Sequence, residues 1–187
     1  MRRTKSIDEI YEEVSGVCNL IITNDVAPPS KRIFQWEIFE EPSILLLPKA
    51  LEKNSTQRWT WDRLRHCGYP LIRFGEETGA GRLNNAFLRS HHFNFPERIC
   101  VENNSFTMAL VKADVGWAFT RPTTVLQNIH LKDQICIAQM QEPTLPRKVH
   151  IIGRESEFEN EAVLLKTFCE NYLRKVLIPQ LIRIAPW

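Results

Sequence analysis

Two rhythms of apolar residues alternate along this chain. Short continuous or every-other-residue runs predict strands, and repeats at helical steps predict helices. The stretch from Glu97 to Pro122 shows both. Ile99, Cys100 and Val101 form a short run that stops at Glu102, Asn103, Asn104 and Ser105. Phe106, Ala109, Leu110 and Ala113 then recur at helical spacing, which predicts one buried helix face. Val115, Trp117 and Phe119 alternate, and Pro122 closes the strand. A strand that feeds a helix and returns to a strand is the unit of a parallel α/β sheet. In such sheets ligands bind beyond the carboxyl ends of strands, beside free helix N-termini. Asn103, Asn104 and Ser105 fall at that position.

The same periodicity organises the rest of the chain. A helix is predicted from Ser6 to Ser15, with Ser6 and Glu9 as a capping box and Ile7, Ile10, Tyr11 and Val14 as its stripe. Val17 to Thr23 reads as a buried strand interrupted by Asn19. Phe34, Trp36 and Ile38 alternate as a half-buried strand, and Ser43 to Pro48 is a second apolar strand. Lys49 to Gln57 is a polar surface crossing. Trp59 to Cys67 can form one or two helical turns, with Trp59 and Trp61 as packing residues. A strand from Pro70 to Phe74 leads through a loop to a helix from about Arg82 to Ser90, with Leu83, Ala86 and Phe87 on one face. Ile135 to Met140 and Val149 to Ile152 are further strands. The last helix carries Phe158, Ala162, Leu165, Cys169, Tyr172 and Val176 as one stripe, and Pro179 should end or kink it. This order predicts an α/β protein of two lobes, residues 1–48 with 149–187 and residues 49–148. Segments near Leu46 and His150 would cross between the lobes, with a cleft between them.

Composition narrows the classes. The 187 residues suffice for a core, and 43% hydrophobic with 25% charged residues is ordinary for a soluble globular protein. A net charge of +2 is too small for a basic nucleic-acid surface, and Arg2, Arg3 and Lys5 read as a solvated terminus. The five cysteines are odd in number and none are spaced C-x-x-C. Cys18, Cys100 and Cys136 lie in apolar runs and Cys169 on a helix's apolar face, which predicts buried thiols in a reducing compartment. No run is long enough to cross a bilayer, and the start lacks the apolar core of a secretion signal, so a cytoplasmic location is expected.

The one glycine-rich loop, FGEETGAGR from Phe74 to Arg82, lacks the Lys-Ser or Lys-Thr of a Walker A loop. Asn84 stands where a dinucleotide fingerprint needs its third glycine, so no cofactor is expected. Two readings remain for the loop: Thr78 caps a helix whose free N–H groups and Arg82 hold an anion, or the loop is a plain capped turn. Asn103, Asn104 and Ser105 likewise hold a ligand or cap the next helix. Arg121 points into the same cleft or, as surface arginines more often do, into water. His91-His92 and His66-Cys67 lack further ligands at metal-binding spacing. No G-x-S-x-G elbow is present, and nothing local supports Cys67 as a nucleophile, so the chain reads as a non-enzyme.

Several of these segments resemble the effector-binding domain of bacterial LysR-type transcriptional regulators. They are IDEIYEEVSGVCNLIIT, TWDRLRHCGYPLIRF, VENNSFTMALVKADVGWAFTRP and RKVHIIGRESEFENEAVLLKTFCENYL, in that order. The resemblance implies a two-lobed, periplasmic-binding-protein-like α/β fold with a small inducer between the lobes. Carried across, inducer contacts would fall at Thr23, Thr78, Arg82, Asn103 to Ser105, Arg121 and Pro122. The DNA-binding winged helix-turn-helix and the first βαβ of the regulatory domain have no counterpart, so the first lobe should be incomplete. The expected function is sensing of a small polar or anionic effector, without DNA binding by this chain alone. Expected partners are that effector and a second copy or a full-length regulator, with no membrane. The alternatives are a solute-binding protein of the same fold, or a fragment that acts only by associating with a full-length regulator.

Overall fold

A computed structural model describes residues 20–24, 33–54, 58–96, 99–154 and 159–185. The helix expected from Ser6 to Ser15 and the thiol of Cys18 lie outside the described residues. The strands are β1 (Leu20–Thr23), β2 (Ile33–Glu41), β3 (Ile44–Leu47), β4 (Ile72–Phe74), β5 (Ile99–Val101), β6 (Ala118–Thr120), β7 (Cys136–Gln139) and β8 (Arg147–Arg154). The α-helices are α1 (Trp61–Arg65), α2 (Gly79–Ser90), α3 (Asn104–Lys112), α4 (Pro122–Gln127), α5 (Glu159–Tyr172) and α6 (Ile178–Ile184). The chain forms two compact units, Met1–Glu41 with Pro146–Pro179, and Pro42–Leu145 with Gln180–Trp187.

In the first unit the sheet order is β1-β8-β2, with β8 antiparallel to both neighbours. Phe34 and Trp36 share one face of this sheet, their rings stacked with centroids 4.5 Å apart. Lys166 of α5 reaches over the Trp36 ring, so α5 covers that face. The register shifts between Glu37 and Phe39, a bulge that turns Phe39 and Glu41 inward. Glu41 is fully buried and pairs with Arg147 across the ladder.

In the second unit β3 lies between β6 and β7 and is antiparallel to both. Leu45 and Leu47 join a core with Trp59, Trp61, Trp117 and Phe119, while Ile44 and Leu46 join Met108, Val111 and Val125. A strand buried on both faces explains the unbroken run of apolar residues. It also bears out Trp59 and Trp61 as packing residues. β4 and β5 pair in parallel, and Trp117 bridges Leu71 in parallel just ahead of β6. The backbone N–H of Ile72 donates to Trp117 O at 2.8 Å, and that of Trp117 to Pro70 O at 2.9 Å. The strand–helix–strand unit expected between Glu97 and Pro122 is therefore present.

Four sequence expectations need correction. α2 starts at Gly79 and exposes Leu83 and Ala86; its buried face holds Gly81, Asn84, Asn85, Phe87 and Leu88. α3 exposes Phe106, Ala109 and Ala113 and buries Thr107, Met108 and Val111. Thr107 tolerates burial because its hydroxyl donates to Asn103 O at 3.2 Å, a bond that apolar periodicity cannot register. Cys136 is buried and Cys67 and Cys169 are half-buried, but Cys100 is exposed because alternation along β5 turns it away from Val101. Lastly, Pro179 does not end the last helix. A π-turn over Leu173–Leu177 precedes it, and the wider turn accommodates a residue that has no N–H to donate. Of the stripe predicted there, Ala162 is buried, Leu165 and Cys169 half-buried, and Tyr172 and Val176 exposed.

Candidate functional site

The polar residues singled out in the second unit stand at the carboxyl ends of its parallel strands. Phe74 pairs with Val101, so β4 and β5 finish at the same edge of their ladder. The backbone N–H of Gly75 donates to Val101 O at 3.2 Å and ties the two exits together. Each exit leads directly into a helix N-terminus.

After β4, Thr78 caps α2: its hydroxyl oxygen accepts from Gly81 N at 2.9 Å and donates to Gly75 O at 2.9 Å. The turn is tight enough that a Cβ on Gly81 would overlap the Gly75 carbonyl, so glycine is required there for close backbone approach. Arg82 is exposed, and its Nη1 donates to Glu77 O at 3.3 Å. After β5, Asn103 caps α3 by accepting from Phe106 N at 3.0 Å. Asn104 is half-buried, and Ser105 is exposed at the rim of the first turn.

Ser105 also opens a buried chain of polar side chains. Its hydroxyl donates to Asn128 Oδ1 at 2.9 Å, and Asn128 Nδ2 donates to Thr124 O at 3.0 Å. The Thr124 hydroxyl lies 2.9 Å from that of Thr120. Asn128, Thr124 and Thr120 are all buried, so this network fixes the first turn of α3 against α4.

Arg121 is the N-cap of α4 and Pro122 its first residue, where a missing N–H costs no hydrogen bond. The solvated arginine favoured by the sequence is not what the structure shows, since Arg121 is 7% exposed. Its Nη1 donates to Ser43 Oγ at 3.0 Å and to Thr120 O at 3.1 Å, and Ser43 Oγ donates onward to Leu145 O at 2.6 Å. The guanidinium is held by acceptors from three separate segments, which supply the hydrogen bonds a buried charge requires.

Thr23, the remaining candidate, belongs to the first unit, where it ends β1 opposite the buried His150 of β8. Cys67 is half-buried, its thiol donating to Tyr69 O at 3.6 Å. Burial pushes that thiol up from its ordinary value, the opposite of what activates a nucleophile.

Sequence reasoning therefore found the strand ends but missed Ser43, Thr120, Thr124 and Asn128. The Thr120–Thr124 spacing is a helical one, and Asn128 sits four residues further on, so a polar stripe was present in the sequence. It went unseen because polar residues in a helical segment are ordinarily assigned to solvent.

No curated protein matches the chain significantly in sequence. Solved structures do match in fold. The regulatory domain of MetR (NMB2055) from N. meningitidis superposes with a TM-score of 0.65 at 17% identity, over 90% of this chain and 79% of that one. The effector-binding domain of QuiR in complex with shikimate gives 0.65 at 16% identity, over 94% and 80%. The CcmR regulatory domain from Synechocystis PCC6803 in complex with 2-PG gives 0.69 at 10% identity, over 89% and 79%. These shared topologies are two-lobed α/β folds of the periplasmic-binding-protein kind. The sequence model of the LysR substrate binding domain matches residues 9–170, and the chain accordingly belongs to the LysR substrate-binding domain family.

Proposed function

We propose that this chain senses a small polar or anionic effector at the carboxyl edge of β4 and β5, as the ligand-responsive part of a transcriptional regulator and without catalysing a reaction. One observation carries the proposal: the pairing of Phe74 with Val101 sets the N-termini of α2 and α3 side by side. Helix N-termini present backbone N–H groups and a partial positive charge, a combination that favours anions and hydroxyl oxygens. Arg82, Asn104 and Ser105 supply side-chain donors around them. Thr78 and Asn103 shape the two turns, and Arg121 with Pro122 supports the neighbouring strand exit. Thr23 would contribute from the first unit. The likeness to QuiR in complex with shikimate supports a small hydroxylated acid as the ligand type.

The effector would act by binding one conformer better than another and so shifting their populations. No helix among the described residues is long and apolar enough to cross a membrane.

The test is a thermal-shift screen of small carboxylates and hydroxy acids, followed by calorimetric titration of any compound that acts. A native-state ligand raises Tm with concentration. The expected result is a rise for the wild type that shrinks in Arg82→Ala and Asn104→Ala. If no compound raises Tm, or if both variants respond as the wild type does, the proposal is wrong.

A further inference from the structure

Helix α5 buries one side against the first unit's sheet and presents a second apolar side to water. Leu164 is 71% exposed, Phe168 68% and Tyr172 49%, one above another at four-residue steps. An isolated exposed leucine needs no explanation, but a continuous stripe of large side chains marks an interaction surface.

The charges on that side identify the partner. Glu161 and Lys175 are exposed and stand seven positions before and after Phe168. At about 100° per residue both project on the same side as Phe168. Turned end for end about Phe168, the pattern maps onto itself: Leu164 onto Tyr172, and Glu161 onto Lys175. A two-fold axis imposes that operation on two identical helices packed antiparallel, since each residue then meets its counterpart's partner. Two copies would pair Phe168 with Phe168, Leu164 with Tyr172, and Glu161 with Lys175 twice over.

We propose that the exposed face of α5 is a self-association surface, on which a second copy of this chain packs antiparallel about Phe168. The stripe is short, and one helix pair buries less than the roughly 1,600 Å² of a standard interface, so the dimer forms in the micromolar range. Opposite charges at the two ends set the antiparallel direction, because a parallel pair would put Glu161 on Glu161 and Lys175 on Lys175.

Sedimentation velocity of the whole chain from about 1 to 200 µM tests this, with circular dichroism of each variant to confirm folding. The wild type should pass from monomer to dimer over this range, and Phe168→Asp should stay monomeric. Glu161→Lys and Lys175→Glu should each weaken association at least tenfold at low salt, and the double variant should restore it. Restoration depends on the two helices meeting and does not follow from a general effect on stability. A wild type that stays monomeric, a Phe168→Asp variant that still dimerises, or a double variant no better than the singles would overturn the proposal. So would cross-links from the stripe to another part of the same chain.

Discussion

Ser105 donates to Asn128 Oδ1 across 2.9 Å, and this one bond ties the start of α3 to the residue that follows α4. The donor is exposed and the acceptor buried, so the surface of the proposed effector site is continuous with an interior network. An effector competing for the Ser105 hydroxyl would disturb Asn128, and through it Thr124 and Thr120.

The two ends of that bond should therefore behave differently on substitution. Ser105→Ala removes one net hydrogen bond and should cost about 1 kcal/mol in urea unfolding. Asn128→Ala also strips Thr124 O and the Ser105 hydroxyl of their partner, and should cost about 2–3 kcal/mol. Equal costs would show that the network is not held from the inside.

The turn after β4 makes a sharper prediction. Thr78→Ala loses the cap of α2 and should cost about 1 kcal/mol, with Thr78→Ser close to wild type. Gly81→Ala puts a methyl into the Gly75 carbonyl, so the backbone itself must move. It should destabilise by more than about 2 kcal/mol, although alanine favours helix over glycine. A stabilised Gly81→Ala protein would mean that the turn is looser than described.

Glu41 and Arg147 form the most buried ion pair among the described residues. Arg147→Met would leave the Glu41 carboxylate buried opposite an apolar chain and should cost about 3–5 kcal/mol. Replacing both residues with apolar ones should recover most of that loss, because desolvation offsets much of the attraction in such pairs. Denaturation of the two single variants and the double would decide this.

Thiol labelling should follow exposure. Cys100 reacts first, Cys67 and Cys169 more slowly, and Cys136 only on unfolding. Burial raises the pKa of both Cys67 and Cys169, with Glu170 adding to the rise at Cys169. The reactive thiolate is therefore scarcer at those sites at neutral pH, and their labelling should accelerate with pH into the alkaline range. The same sign applies to stability: what these protonated thiols contribute is present below the unfolded thiol pKa and is lost as pH rises through the folded values. Site-resolved mass spectrometry after iodoacetamide pulses at several pH values would report both orders.

The chain should not bind DNA by itself. Its net charge is +2, and the resemblance to the LysR family's regulatory part includes no winged helix-turn-helix. A gel shift with sequence-specific, tight binding would contradict this.

Much of the fold was legible because burial and periodicity agree where strands are covered on both faces. The unbroken apolar run Ile44–Leu47 could hardly be anything else, and the polar stop after Val101 located a helix start. Helix faces were harder to read. Counting apolar residues favoured Phe106 over Thr107, but Thr107 satisfies its hydroxyl locally and goes inside, while Phe106 is left in water. Arg121 was misjudged for a related reason. Its burial depends on Ser43, far away in sequence, and no local pattern announces a contact of that kind.

The π-turn of Leu173–Leu177 has one more effect: it fixes the rotational phase of everything after it. Removing a single residue there would restore regular winding but swing the downstream segment by about 100°. Leu181 and Ile184, now shielded from water, would trade places with Ile182 and Arg183. The surplus residue acts as a phase key, so an in-frame codon loss there should do more harm than most substitutions in the same turn.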